Sequence, residues 1–121
     1  MSATMTLGAM PVKRRTRRRS TDEDAANRFM VFLQATREWA DANRDRLAKI
    51  YIVVEGCNYH SYLISKSVEH DFELTKSHCA FTLGLLDATQ IMTFGSQIPD
   101  GDFDELSAFL DPARAFTMIP Q

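Results

Sequence analysis

The chain has few of the residues that build covalently stapled, metal-bound or phosphate-binding folds. Its 121 residues include two cysteines, Cys57 and Cys79, which are too few for a disulfide scaffold. The five glycines are scattered and form no phosphate-binding loop. No apolar run approaches the ~20 residues of a membrane-spanning helix, so we expect no transmembrane segment. These absences leave the globular class, which the 45% hydrophobic and 25% charged content also indicates.

Acidic residues are missing from the first 21 positions, and this absence divides the chain electrostatically. Six of the fourteen basic residues lie in the heptapeptide 13–19. All sixteen acidic residues come later, against the eight remaining bases, which gives that part a formal charge of −8. A compact block of like charge resists collapse. We therefore predict that residues 1–20 form a disordered basic arm and that residues 21–121 form a single α+β domain.

The basic heptapeptide predicts contact with a polyanion, nucleic acid being the first candidate. Arginine guanidinium groups are permanently charged and bind phosphates in pairs. No zinc-finger, helix-turn-helix or RNA-recognition pattern accompanies the block, so such binding would read charge and not base sequence. The predicted polyanion-binding residues are Lys13, Arg14, Arg15, Arg17, Arg18 and Arg19.

Hydrophobic periodicity predicts a helix followed by a β-hairpin. An amphipathic helix is expected over residues 22–47, with Ser20 or Thr21 as its N-cap. A β-branched run at 50–54 and an alternating run at 59–66 predict two strands joined by a tight turn. The apolar stripe of the helix comprises Phe29, Leu33, Thr36, Ala40 and Leu47.

The second half of the chain is less regular. Residues 69–87 fit both a strand and a helix pattern, and their length favours a helix. We predict a third strand at 91–94, a loop at 95–101, a short helix from Asp102, and a final strand or strap at 115–119. Two faces of the predicted helix are apolar: Phe72, Cys79, Leu83 and Leu86 on one, and Leu74, Phe81 and Leu85 on the other.

The order of these elements predicts an α+β fold. We expect a small, mainly antiparallel sheet of three to four strands, a long N-terminal amphipathic helix and one or two further helices on one face. Such a sheet has open edges, which a second copy commonly covers. The pattern therefore also predicts a protein partner or a homodimer, joined through a sheet edge or a helix face.

Two Cys/His pairs are candidates for a zinc site or a nucleophile. Cys57 lies three residues before His60, and His78 is adjacent to Cys79. Neighbouring side chains on a helix point ~100° apart, so His78 and Cys79 are poorly placed for one metal. A Cys57 nucleophile with His60 as its base lacks a third group. We therefore predict no catalytic residue, no metal site and no cofactor.

The sequence favours a non-enzymatic regulatory or accessory module whose basic arm engages nucleic acid or another polyanion. The alternative is a protein–protein adaptor or small chaperone-like module that accepts a partner segment along a sheet edge or helix groove, with the arm only as a tether. A Cys/His-dependent enzyme or zinc protein is the third hypothesis. The cysteine content suggests a cytoplasmic location, or a nucleoid or nuclear one with nucleic acid, while the basic N-terminus leaves organelle import open.

Overall fold

Helix α1 (Met10–Ala42) opens the part of the chain that the structure describes. The computed structural model describes residues 10–56, 58–101 and 110–121, with side chains from residue 22 onward, Pro112 excepted. The residues from Val12 to Ala42 include neither glycine nor proline, and lysine and arginine are good helix formers. Local propensity therefore permits one continuous helix.

The start of α1 differs from the predicted start at residue 22. Ser20 and Thr21, expected as N-caps, lie inside the helix, and the backbone of the basic heptapeptide lies in it too. The predicted disorder of the arm as a whole stays a prediction. Residues 1–9 lie outside the described residues, and residues 10–21 are described by their backbone alone.

The end of α1 lies at Ala42, five residues before the predicted end, because Asn43 closes the helix. Its Nδ2 donates a hydrogen bond of 2.8 Å to the carbonyl oxygen of Trp39, which satisfies one of the free carbonyls of the last turn. Leu47, expected on the helical stripe, instead begins the first strand. The buried face of α1 comprises Phe32, Thr36, Trp39 and Ala40, with Phe29 and Leu33 partly buried beside them.

Four strands form one mixed sheet. They are β1 (Leu47–Glu55), β2 (Asn58–Ser65), β3 (Thr93–Pro99) and β4 (Phe116–Met118), in the order β3-β2-β1-β4. Strand β1 pairs antiparallel with β2 and β4, whereas β2 and β3 run parallel. The predicted mainly antiparallel sheet is thus corrected to a mixed one. Helix α2 (Phe72–Thr89) connects β2 to β3. It brings the chain back to the end of the sheet where β2 began, so the two strands run in the same direction.

The hairpin and the second helix are confirmed. Gly56 adopts a φ of +62° at the turn between β1 and β2, a conformation that favours glycine. Asp71 caps α2, since its Oδ1 accepts a hydrogen bond of 3.1 Å from the backbone N–H of Leu74. Of the two apolar faces predicted for α2, the one with Leu74 and Leu85 is buried and the one with Leu83 is exposed.

The sheet separates two hydrophobic clusters, and both helices pack on one face as predicted. Leu63 of β2 belongs to the cluster with Phe32 and Leu74, whereas Tyr62 and Ile64 belong to the cluster on the opposite face. The predicted alternation of β2 is therefore correct. The members of the second cluster are Tyr51, Ile64, Ile98 and Leu110, with Ala48, Val53, Tyr62 and Ala115 packed against them.

The C-terminal third is predicted only in part. Residues 95–99, expected in a loop because of Gly95 and Pro99, continue β3. The predicted helix from Asp102 lies outside the described residues. A short 3-10 helix (Pro112–Arg114) leads into β4, which confirms the expected final strand.

A candidate binding groove between α2 and the edge strand β3

Strand β3 lies at the end of the sheet, with β2 on one side of it. Within the described residues no strand pairs with its outer side. Edge strands of natural proteins are usually protected by charged side chains, bulges or a covering element. The sequence of β3, Thr-Phe-Gly-Ser-Gln-Ile-Pro, includes no charged residue. Among the described residues, therefore, no strand occupies the outer backbone groups of β3.

An apolar cavity of about 250 Å³ lies between α2 and the beginning of β3. Two large side chains around it face solvent: Leu83 is 68% exposed and Met92 56%. Exposed apolar patches of this kind mark interaction sites more often than isolated surface residues do. The cavity is lined by Cys79, Thr82, Leu83, Leu86, Met92, Thr93 and Phe94.

A second, more polar cavity of about 160 Å³ continues along the same crevice. It shares Cys79, Thr82 and Thr93 with the apolar cavity. We call the two cavities together the α2/β3 groove and the polar one the His78 cavity. The lining residues of the His78 cavity are Leu63, His70, Thr75, His78, Cys79, Thr82, Thr93, Gly95, Ser96 and Gln97. None of the described lining residues of either cavity is an Asp, Glu, Lys or Arg.

Gln97 of β3 holds the strand against the N-terminal end of α2. Its Oε1 accepts a hydrogen bond of 2.6 Å from the backbone N–H of Asp71. Its Nε2 donates to the carbonyl oxygen of Asp71 and to the Thr75 hydroxyl, both at 3.0 Å. The Asp71 carboxylate in turn pairs with Arg46 at 2.7 Å. This network joins β3 to the first turn of α2, so the spacing between strand and helix is held there.

His78 lies in the wall of the polar cavity and is 4% exposed. Its ring meets the edge of Trp39 at a centroid distance of 5.1 Å and lies near Phe81. On the other side it approaches Gly95 so closely that a Cβ there would lie 2.8 Å from Nδ1. Burial lowers the pKa of His78 to about 4. The imidazole is therefore neutral near pH 7.

Of the described Cys/His residues considered from sequence, His60 lies apart from His78 and Cys79. His60 lies on the opposite face of the sheet, where its Nε2 is 2.9 Å from the Ser96 hydroxyl and its ring stacks on Tyr62. Its pKa is lowered by burial, against the opposing charge of Glu55. His78 is buried while Cys79 is exposed, and Cys57 lies outside the described residues.

In the part of the chain that the structure describes, no three His, Cys, Asp or Glu side chains come close enough together to hold a metal ion. The predicted polyanion-binding residues 13–19 have their backbone in α1, and their side chains lie outside the description. No helix in the described ranges combines the length and apolar character that crossing a bilayer requires.

The groove itself was not predicted from sequence, although a signal for it exists. Helix α2 has a second apolar face, and β3 is an uncharged run that continues past a glycine. No protein-family model, curated protein or solved structure matches this chain. The functional argument therefore depends on the geometry of the groove and on the charge pattern of the sequence.

Proposed function

We propose that this chain is a small non-enzymatic binding module that accepts an extended segment of a partner protein along β3, in the α2/β3 groove. The observation that carries the proposal is an uncharged edge strand, unpaired on its outer side within the described ranges, with an exposed apolar groove beside it. Of the two modules expected from sequence, the geometry favours the protein adaptor.

The binding mode follows from the physics of strand addition. A segment that pairs with β3 satisfies the outer N–H and C=O groups of that strand, which supplies affinity without regard to sequence. Every second side chain of the added segment then points towards the helix side of the sheet. These side chains enter the groove, where Leu83 and Met92 offer apolar surface.

Charge identifies the kind of partner. The groove lining is uncharged, so the part of the segment inside it is uncharged as well. The chain outside the basic heptapeptide carries a formal charge of −8, which attracts basic residues flanking the segment. The homodimer predicted from sequence is the competing outcome of the test.

Leu83→Arg is expected to weaken segment binding at least tenfold, because it places a charge in the apolar cavity. The probe is a set of nine-residue peptides selected by phage display on the immobilised full chain, with affinities measured by fluorescence polarisation. Met30→Arg is the matched control, since Met30 is 62% exposed on α1 and away from the groove lining. Amide chemical-shift changes confined to β3 and α2 are expected in the wild type.

Two results would overturn the proposal: selection that enriches no peptide, or peptides that bind the Leu83→Arg variant as well as the wild type. Sedimentation equilibrium of the free chain tests the competing outcome. A dimer that Leu83→Arg dissociates, together with failure of peptide selection, would assign the groove to a second copy.

Polyanion binding by Lys13, Arg14, Arg15, Arg17, Arg18 and Arg19 is the second candidate function. Its support is the position of their backbone in α1, well before Phe32, the first buried residue of that helix. Residues 22–27, which lie between the basic heptapeptide and Phe32, are exposed. A helix that carries six positive charges ahead of the packed region has room for a phosphate backbone alongside it.

Affinity for a single-stranded oligonucleotide is expected to fall with salt, with a log–log slope of about −4 if all six cations meet phosphates. Replacing the six residues by glutamine should abolish the binding. Deleting residues 1–20 should do the same while leaving peptide binding intact. Retained or salt-insensitive oligonucleotide binding by either variant would reject this second function.

A further inference from the structure

We propose that the His78 cavity is a specificity pocket, and that it takes an uncharged hydrogen-bonding side chain, an amide or a hydroxyl, from the segment bound along β3. The inference rests on the function proposed above and names the chemistry of one position of the partner. It concerns the polar end of the groove, whereas the Leu83 test concerns the apolar end.

The unmatched group in this cavity is the imidazole of His78. The side chain is more than nine-tenths buried. It has ring contacts with Trp39 and Phe81, yet no hydrogen bond joins either ring nitrogen to another described residue. Burying a polar group without a partner is costly, and native proteins rarely leave one so. Because His78 lines the cavity, its unsatisfied imidazole points to a ligand group there.

The polar neighbours of His78 are already engaged elsewhere. Gln97 uses both atoms of its amide on Asp71 and Thr75. The Thr75 hydroxyl also lies 3.0 Å from Nε2 of His70. The indole N–H of Trp39 donates to the Ser77 hydroxyl at 3.0 Å. These hydrogen bonds hold the cavity wall in place, whereas His78 makes no hydrogen bond to another described residue.

The chemistry of the incoming group follows from the state of the ring. A neutral imidazole offers one N–H donor and one acceptor nitrogen. Amides and hydroxyls also combine a donor with an acceptor. A carboxylate or an ammonium would lose its hydration in a cavity whose described lining has no opposite charge. The volume of about 160 Å³ is several times the ~30 Å³ share of one water molecule, so a side chain of Asn, Gln, Ser or Thr fits.

The test uses the phage-selected peptides described above and the full chain. Peptides selected on the wild type should share Asn, Gln, Ser or Thr at one fixed position. Replacing that residue by an apolar one of similar shape, Asn by Leu or Thr by Val, should weaken binding at least tenfold. In the His78→Leu variant this discrimination should fall below twofold, while Met30→Arg, on α1 and outside the lining of both cavities, should preserve it.

A second measurement covers the case in which His78→Leu does not fold, which circular dichroism would reveal. The ring ¹⁵N shifts of His78 in the wild type should change on saturation with the polar peptide and not with its apolar analogue. Unchanged shifts, or a discrimination that persists in a folded His78→Leu variant, would overturn the inference. Peptides that bind and respond to Leu83→Arg but show no fixed polar position would overturn it and leave the proposed function standing.

Discussion

Acidification from pH 7 to below pH 4 is expected to lower the free energy of unfolding by about 3 kcal/mol through His78 alone. The pKa of His78 is about 4 in the folded chain, against 6.5 for the free side chain. Between pH 6.5 and pH 4, His78 is therefore protonated in the unfolded chain but stays neutral in the folded chain. Each unit of difference corresponds to about 1.4 kcal/mol. The contribution of His78 to the free energy of unfolding is fully present above pH 6.5. It decreases as the pH falls towards 4 and is constant below that.

The measurement is urea unfolding of the wild type and of His78→Gln at half-unit steps from pH 3.5 to 7.5. Subtracting the two curves cancels the carboxylates, which titrate in both proteins. His60, whose pKa is also lowered by burial, contributes with the same sign and is removed separately with His60→Gln. Parallel pH curves for the wild type and His78→Gln would show that His78 is not held neutral by burial.

Gly95→Ala is expected to destabilise the fold by about 2 kcal/mol, the middle of the range for an overpacked core. The new Cβ would lie 2.8 Å from Nδ1 and 2.9 Å from Cε1 of His78. The ring has little freedom to retreat, since Trp39 and Phe81 pack against it. Replacing glycine within a strand is otherwise slightly favourable, so the sign of the effect isolates this contact.

Two comparisons sharpen the Gly95 experiment. Gly84→Ala in α2 meets nothing within 4 Å and should stabilise the protein by up to about 1 kcal/mol through helix propensity. In a His78→Ala background, Gly95→Ala should cost almost nothing, because the clashing ring is gone. Additive effects in this double-mutant cycle would contradict the contact, whereas a large coupling free energy supports it.

The elements that could be predicted are those encoded by neighbouring residues. A β-branched run followed by Gly56 predicts the hairpin, and the uninterrupted length of 69–87 predicts α2, as the structure confirms. Local patterns misplaced the end of α1 because the stripe position of Leu47 fits a helix and a buried strand equally well. They also ended the third strand at Gly95, where glycine serves a contact with His78 and not a turn.

The groove could not be predicted because it depends on pairs distant in the chain. Either apolar face of α2 could have been the buried one, and only packing against the sheet leaves Leu83 exposed. Likewise, nothing near His78 in sequence indicates that Trp39 and Gly95 enclose it. The separation of charge, in contrast, could be predicted, because counting residues is enough to distinguish the basic heptapeptide from the acidic remainder.

The parallel pairing of β2 with β3 has a consequence for biosynthesis. Strands β1 and β2 are neighbours in the chain, whereas β3 can pair with β2 only after residues 66–92 and β3 itself have been synthesised. The wall of the α2/β3 groove that β3 forms is therefore assembled later than the hairpin. The α2/β3 groove is thus incomplete in a nascent chain until Pro99 has been synthesised.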